Sequence, residues 1–114
     1  LSAAVDRVEV WSAANHVIAA HRRARMMAIT RGEVLVLTVD PDFLTIRLRG
    51  QPEAVWAEPG PAFSRVRLEG RAQQFTFLPE GLTLGLSNAT LQLTRGTASR
   101  TVVISRLGRI RIAR

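Results

Sequence analysis

The apolar positions of this 114-residue chain follow two periods, and the change between them falls at Gly32. Over residues 1–31 no Pro or Gly intervenes, alanine is frequent and apolar residues recur at helical spacing, which predicts one long amphipathic helix. Leu1, Ala4, Val5, Val8, Trp11, Ile18, Ala19, Met26 and Ile29 form one stripe, interrupted by Asn15 and Arg22. This stripe is expected to face the core, with Val5, Val8, Ile18 and Ile29 buried against a sheet. A second, weaker stripe of Val10, Ala13, Val17, Ala20, Ala24 and Met27 lies on a different side. Two apolar sides leave two readings: one thick core, or the chain's own sheet on one side and a helix of another subunit on the other. Gly32 suits the C-cap, and Arg22, Arg23, Arg25 and Arg31 complement the negative helix end.

Beyond Gly32 the period becomes two, and strand-like runs alternate with Gly, Pro, Asp or Asn. The runs are Glu33–Val39, Phe43–Arg49, Phe63–Glu69, Arg71–Leu78, Leu82–Leu86, Thr90–Thr94, Arg100–Ser105 and Arg109–Ala113. Asp40-Pro41-Asp42 predicts a turn between the first two, putting Leu44, Ile46 and Leu48 on one face and Thr45, Arg47 and Arg49 on the other. Gln51–Ala62, with Pro52, Pro59, Gly60 and Pro61, reads as a loop that is at most briefly extended over Ala54–Ala57. The expected fold is α+β: a long N-terminal helix (1–31) packed on antiparallel sheets of roughly seven or eight strands (33–114), ending in a 100–113 hairpin, all in one domain.

Composition narrows the class. With 46% hydrophobic and 22% charged residues the chain is of globular type, and with no cysteine it has neither disulfides nor thiolate chemistry. Apolar runs such as Val17–Ala20 and Val34–Leu37 are far shorter than a membrane-crossing helix needs. The chain begins at Leu1, already in helical pattern, so the helix is expected to continue upstream into a removed signal or membrane segment. The net charge of +7 is uneven, because residues 81–114 hold six arginines and no acid. Such asymmetry points to an anionic partner or to a solvated basic face.

Catalysis finds little support. His16 and His21, five apart on a helix, lie about 140° around it and share no ligand face. Ser12, Ser64, Ser87, Ser99 and Ser105 sit in no nucleophile context, and the isolated glycines make no phosphate loop. No cofactor or metal is called for.

The segment Arg106-Leu107-Gly108-Arg109-Ile110-Arg111-Ile112 carries the clearest constellation. With a turn at 106–108, Ile110 and Ile112 point inward and Arg109 and Arg111 outward together. Two guanidinium forks on one face match phosphate oxygens, and Arg95, Arg100, Arg106 and Arg114 add charge. The competing reading is an edge strand whose outward charges block aggregation. The last aromatic is Phe77, so the basic third has no base-stacking platform, and phosphate contact would dominate.

Three segments resemble the GspH/FimT family of type IV pilin-like minor pilins and pseudopilins. Ala24-Arg25-Met26-Met27-Ala28-Ile29-Thr30-Arg31-Gly32 with the Val34–Val39 strand resembles that family's helix end and first strand. Phe77-Leu78-Pro79-Glu80-Gly81 resembles its Phe-x-Pro-x-Gly turn, and Thr101 to Ile112 its terminal hairpin with the Gly-Arg-x-Arg element. The middle, Pro41–Gln73, carries no family signal.

The resemblance implies a non-enzymatic filament subunit of a type IV pilus, competence or type II secretion machine. It implies inner-membrane anchoring with the domain facing the periplasm, and other pilins as partners through the N-terminal helix. On that basis Val10, Val17 and Met27 are the expected filament-packing residues. Some FimT-like members contact DNA through the Gly-Arg-x-Arg region, so the expected double-stranded DNA contacts are Arg109 and Arg111, with Arg106, Arg100 and Arg95. Two alternatives stand beside this reading: a purely structural tip or priming subunit for secretion, and an unrelated soluble nucleic-acid-binding domain.

Overall fold

A computed structural model of the chain describes residues 2–70, 72–84, 89–105 and 107–113. Helix α1 runs unbroken over Ala3–Arg31. Ser2 caps its start, its side chain accepting from the Val5 amide at 3.1 Å, and Gly32 ends it with φ 63°, a left-handed conformation that favours glycine. The helix sets the 45 Å long axis of the molecule.

Among the described residues eight strands form two antiparallel sheets of four. One sheet has the order β3 (Ala54–Pro59), β2 (Phe43–Leu48), β1 (Leu35–Val39), β5 (Gln73–Phe77); the other has β4 (Arg67–Glu69), β6 (Ala89–Arg95), β7 (Ala98–Ile104), β8 (Ile110–Ala113). Both sheets pack on α1, which makes its core contacts with β1 and β2 on one side and β6 and β7 on the other. The β1–β2 hairpin has the expected alternation, with Leu44 and Ile46 buried and Leu48 packed against the core. Its turn is closed by the Asp40 carboxylate, which accepts from the Asp42 amide at 2.9 Å.

The helix presents its two stripes the opposite way round from the expectation. Val10, Ala13, Val17, Ala20 and Ala24 are buried, joined by Ala14, Ile18, His21 and Ala28, whereas Val5, Val8, Trp11, Met26 and Ile29 are exposed. Ile18 alone of the four expected anchors is buried. Apolar side chains are spread almost evenly around this helix, so their bulk is a poor guide to its inward face. A helix held between two sheets must approach them closely, and alanine permits that approach where tryptophan and methionine do not. Val10 and Val17, two of the expected filament-packing residues, are buried in this chain's own core at 1% and 0% exposure. Met27 is half-buried against the same core.

Three smaller expectations also change. The 51–62 segment contains a full strand, β3, paired to β2 from Phe43↔Pro59 to Arg47↔Ala54 with a bulge at Ile46/Arg47. Pro59 sits at the end of this edge strand, where its missing N–H costs nothing. The 63–69 run divides into a 3₁₀ turn, Pro61–Ser64, and the short β4, because Arg65 adopts φ 58° between them. Residues 82–84 make only an isolated bridge, Phe77↔Thr83, and the rest of the expected Leu82–Leu86 strand lies outside the described residues.

Candidate nucleic-acid interface

The terminal hairpin is built as its alternation requires. Val102↔Ile112 and Ile104↔Ile110 pair on the core side, where Val102 and Ile104 are buried, and Val103↔Arg111 pairs on the other. Arg111 on the edge strand β8 and Arg109, the residue just before that strand, are both exposed. The turn is closed by three bonds: the Gly108 amide donates to the Ser105 carbonyl at 3.0 Å, the Ser105 amide to the Arg109 carbonyl at 2.8 Å, and the Arg109 amide to the Ser105 hydroxyl at 3.2 Å.

Gly108 has a second role. It adopts φ 86°, and a Cβ there would stand 2.9 Å from the Gly81 carbonyl oxygen and 3.4 Å from Arg25 Nε. That carbonyl also accepts from Arg25 Nε at 2.9 Å. Gly81 itself closes the turn after β5, its amide donating to the Leu78 carbonyl at 2.8 Å. The helix end, the 77–81 turn and the terminal hairpin, far apart in sequence, thus meet at one junction held by Arg25.

Beside this junction a cleft of about 670 Å³ opens between the last turns of α1 and the hairpin. His21, Arg22, Arg25, Arg109, Ile110 and Arg111 line it with Met26, and among the described residues no acidic side chain does. His21 is fully buried, edge-on to Phe77 at 4.8 Å, and neither ring nitrogen meets a hydrogen-bond partner among the described residues. Burial first, then the Arg25 and Arg22 guanidiniums, lower its pKa from 6.5 to about 4, so the imidazole is neutral at neutral pH. The cleft's positive charge therefore comes from the arginines alone.

Not every predicted arginine reaches this place. Arg95 is engaged elsewhere, pairing with Asp6 at 3.2 Å and donating to the Ser64 carbonyl at 3.4 Å, so it ties the start of the helix to the β6–β7 turn. Gly96 allows this approach, since a Cβ there would collide with the Asp6 carboxylate. Arg100 is exposed but lies on the opposite face of β7 from Val103 and Arg111, beside Arg7 and Ala3 near the helix start. Arg106 and Arg114 lie outside the described residues. The structure thus brings Arg109 and Arg111 together and separates Arg95 and Arg100 from them.

It adds Arg22 and Arg25, which the sequence reading had spent on the helix dipole. Their signal was present in the spacing Arg22, Arg25, Met26, Ile29, which puts both on one helix face. Among the described residues no group of three or more His, Asp or Glu is placed to hold a metal ion.

A long helix seated on two antiparallel sheets, with its end locked to a glycine–arginine hairpin, defines a pilin-type filament subunit. The family model described as Type II transport protein GspH matches residues 13–108, and the chain belongs to that family of minor pilins and pseudopilins, which are structural subunits and not enzymes. Two crystal structures of the type IV minor pilin FimU of Pseudomonas aeruginosa share the fold. One aligns with a TM-score of 0.75 at 19% identity over 95% of this chain and 90% of that one. The other gives 0.72 at 19% identity over 91% and 92%. No curated relative matches the chain. Membership of this family implies a membrane-anchored or filament-associated protein, and no helix of the described residues is itself long and apolar enough to cross a membrane.

Proposed function

We propose that this minor pilin binds the phosphate backbone of double-stranded DNA through Arg109 and Arg111, in a filament machine that takes up DNA. The observation that carries this reading is the exposed arginine pair flanking Ile110 beside a cleft with no acid in its lining. Among the described residues no Phe or Trp lines the cleft beside the pair, so contact is with phosphate and not with stacked bases, and single strands gain no preference over duplex.

The burial pattern supports a different face of α1 for contact with neighbouring pilins. Val8 and Trp11, at 62% and 55% exposure, with Val5 alongside, form the uncovered apolar ridge, and we assign filament packing to it in place of Val10, Val17 and Met27.

The test is the salt dependence of affinity for a mixed-sequence duplex. Each phosphate contact contributes about −0.9 to the slope of log affinity against log salt, so Arg109→Gln with Arg111→Gln is expected to flatten it by roughly two units. Folding is expected to be retained, because both side chains are exposed. A second reading, a priming subunit for protein secretion, is favoured by the position of β8 at a sheet edge, where arginines deter edge-to-edge pairing. An unchanged slope in the double variant, or no wild-type binding at low salt, selects that reading.

A further inference from the structure

We infer that the DNA seat has two walls, and that Arg22 on the helix is its third phosphate-binding arginine, facing Arg109 and Arg111 across the cleft. The inference rests on the proposed reading of the hairpin and extends it to a residue outside the Gly-Arg-x-Arg element.

Three observations carry it. First, Arg22 is exposed and, from the helix, lines the same cleft as the hairpin pair. Arg109 and Arg111 stand about 6.6 Å apart along one strand, so alone they offer charge from one side only. A guanidinium from the helix wall lets a phosphodiester between the walls accept from two directions, which suits arginine's planar fork. Second, the lining holds Met26 and Ile110 but no carboxylate, so no internal partner competes for the arginines there, and the apolar surface strengthens their attraction for an anion. Third, the walls are fixed relative to each other. Arg25 is half-buried and spends its Nε–H on the Gly81 carbonyl, against which Gly108 packs. Arg25 is therefore a positioning residue that sets the width of the cleft, and Arg22, one residue past the buried His21, is the side chain the helix offers to the ligand.

The helix also supplies a matched control. Arg23 is also exposed, but its guanidinium lies 5.2 Å over the Trp56 ring and does not line this cleft. Arg22→Gln and Arg23→Gln remove the same charge, one residue apart.

The experiment measures duplex affinity against salt for the wild type, R22Q, R23Q, R109Q/R111Q and the triple R22Q/R109Q/R111Q, with thermal unfolding of each. The expected slopes are flatter than wild type by about one unit for R22Q, two for the hairpin pair and three for the triple, with R23Q unchanged. A wild-type slope in R22Q while the hairpin pair still flattens overturns the second wall and leaves the hairpin reading intact. Equal flattening by R22Q and R23Q overturns it as well, since the effect is then net charge and not a seat. If the hairpin pair leaves the slope unmoved, the proposed DNA reading fails and the second wall fails with it.

Discussion

Val17→Asp is expected to abolish the cooperative unfolding transition of this domain at 25 °C, whereas Trp11→Asp is expected to leave it within about 1 kcal/mol of wild type. Val17 is fully buried, where a carboxylate loses its hydration. Such a group costs several kcal/mol in desolvation beyond the lost apolar burial, against a typical domain stability of about 5–15 kcal/mol. Trp11 is 55% exposed on the far side of the same helix. Urea titration followed by circular dichroism reads both. The reverse ranking would mean that the large apolar stripe faces the sheets after all.

Gly108→Ala is expected to cost about 2–4 kcal/mol, more than a turn substitution ordinarily does, because two penalties add. One is the left-handed backbone at φ 86°, strained for alanine; the other is a Cβ 2.9 Å from the Gly81 carbonyl, a backbone atom that cannot move aside cheaply. Gly50 separates the two, since its φ of 85° is nearly the same and a Cβ there would meet nothing within 4 Å. Gly50→Ala is therefore expected to show the backbone penalty alone, about 1 kcal/mol. The difference between the two variants in urea unfolding measures the contact that seats the hairpin on the 77–81 turn. Equal losses would show that the junction is not tight.

Much of this architecture was legible in local chemistry. Gly32 ended the helix because only a residue tolerant of positive φ closes it there, and the Asp40-Pro41-Asp42 turn made its own side-chain bond. The alternation from Arg109 to Ile112 placed the exposed arginines correctly because a hairpin leaves each side chain one choice of face. What failed was long-range. Which side of α1 faces inward depends on how closely two sheets approach it, a fact held by Leu35, Leu37, Phe75, Phe77, Leu91, Leu93 and Val102 and not by the helix's own period. Arg95 seemed one of a basic cluster until folding brought Asp6, 89 positions away, against it. Arg22 and Arg25 seemed to serve the helix end until the hairpin closed beside them.

The exposed ridge of Val5, Val8 and Trp11 is the surface proposed to be covered by neighbouring subunits, and the absence of cysteine makes it open to direct measurement. A single thiol introduced as Trp11→Cys reports on that ridge alone, with Val17→Cys as the buried reference. Maleimide labelling is to be compared between the isolated domain and filaments assembled in cells. The expected result is rapid labelling at position 11 in the isolated domain, strong protection there in the filament, and protection at position 17 in both. Labelling at position 11 that is as fast in the filament as in the isolated domain would contradict the assignment of this helix face to subunit packing.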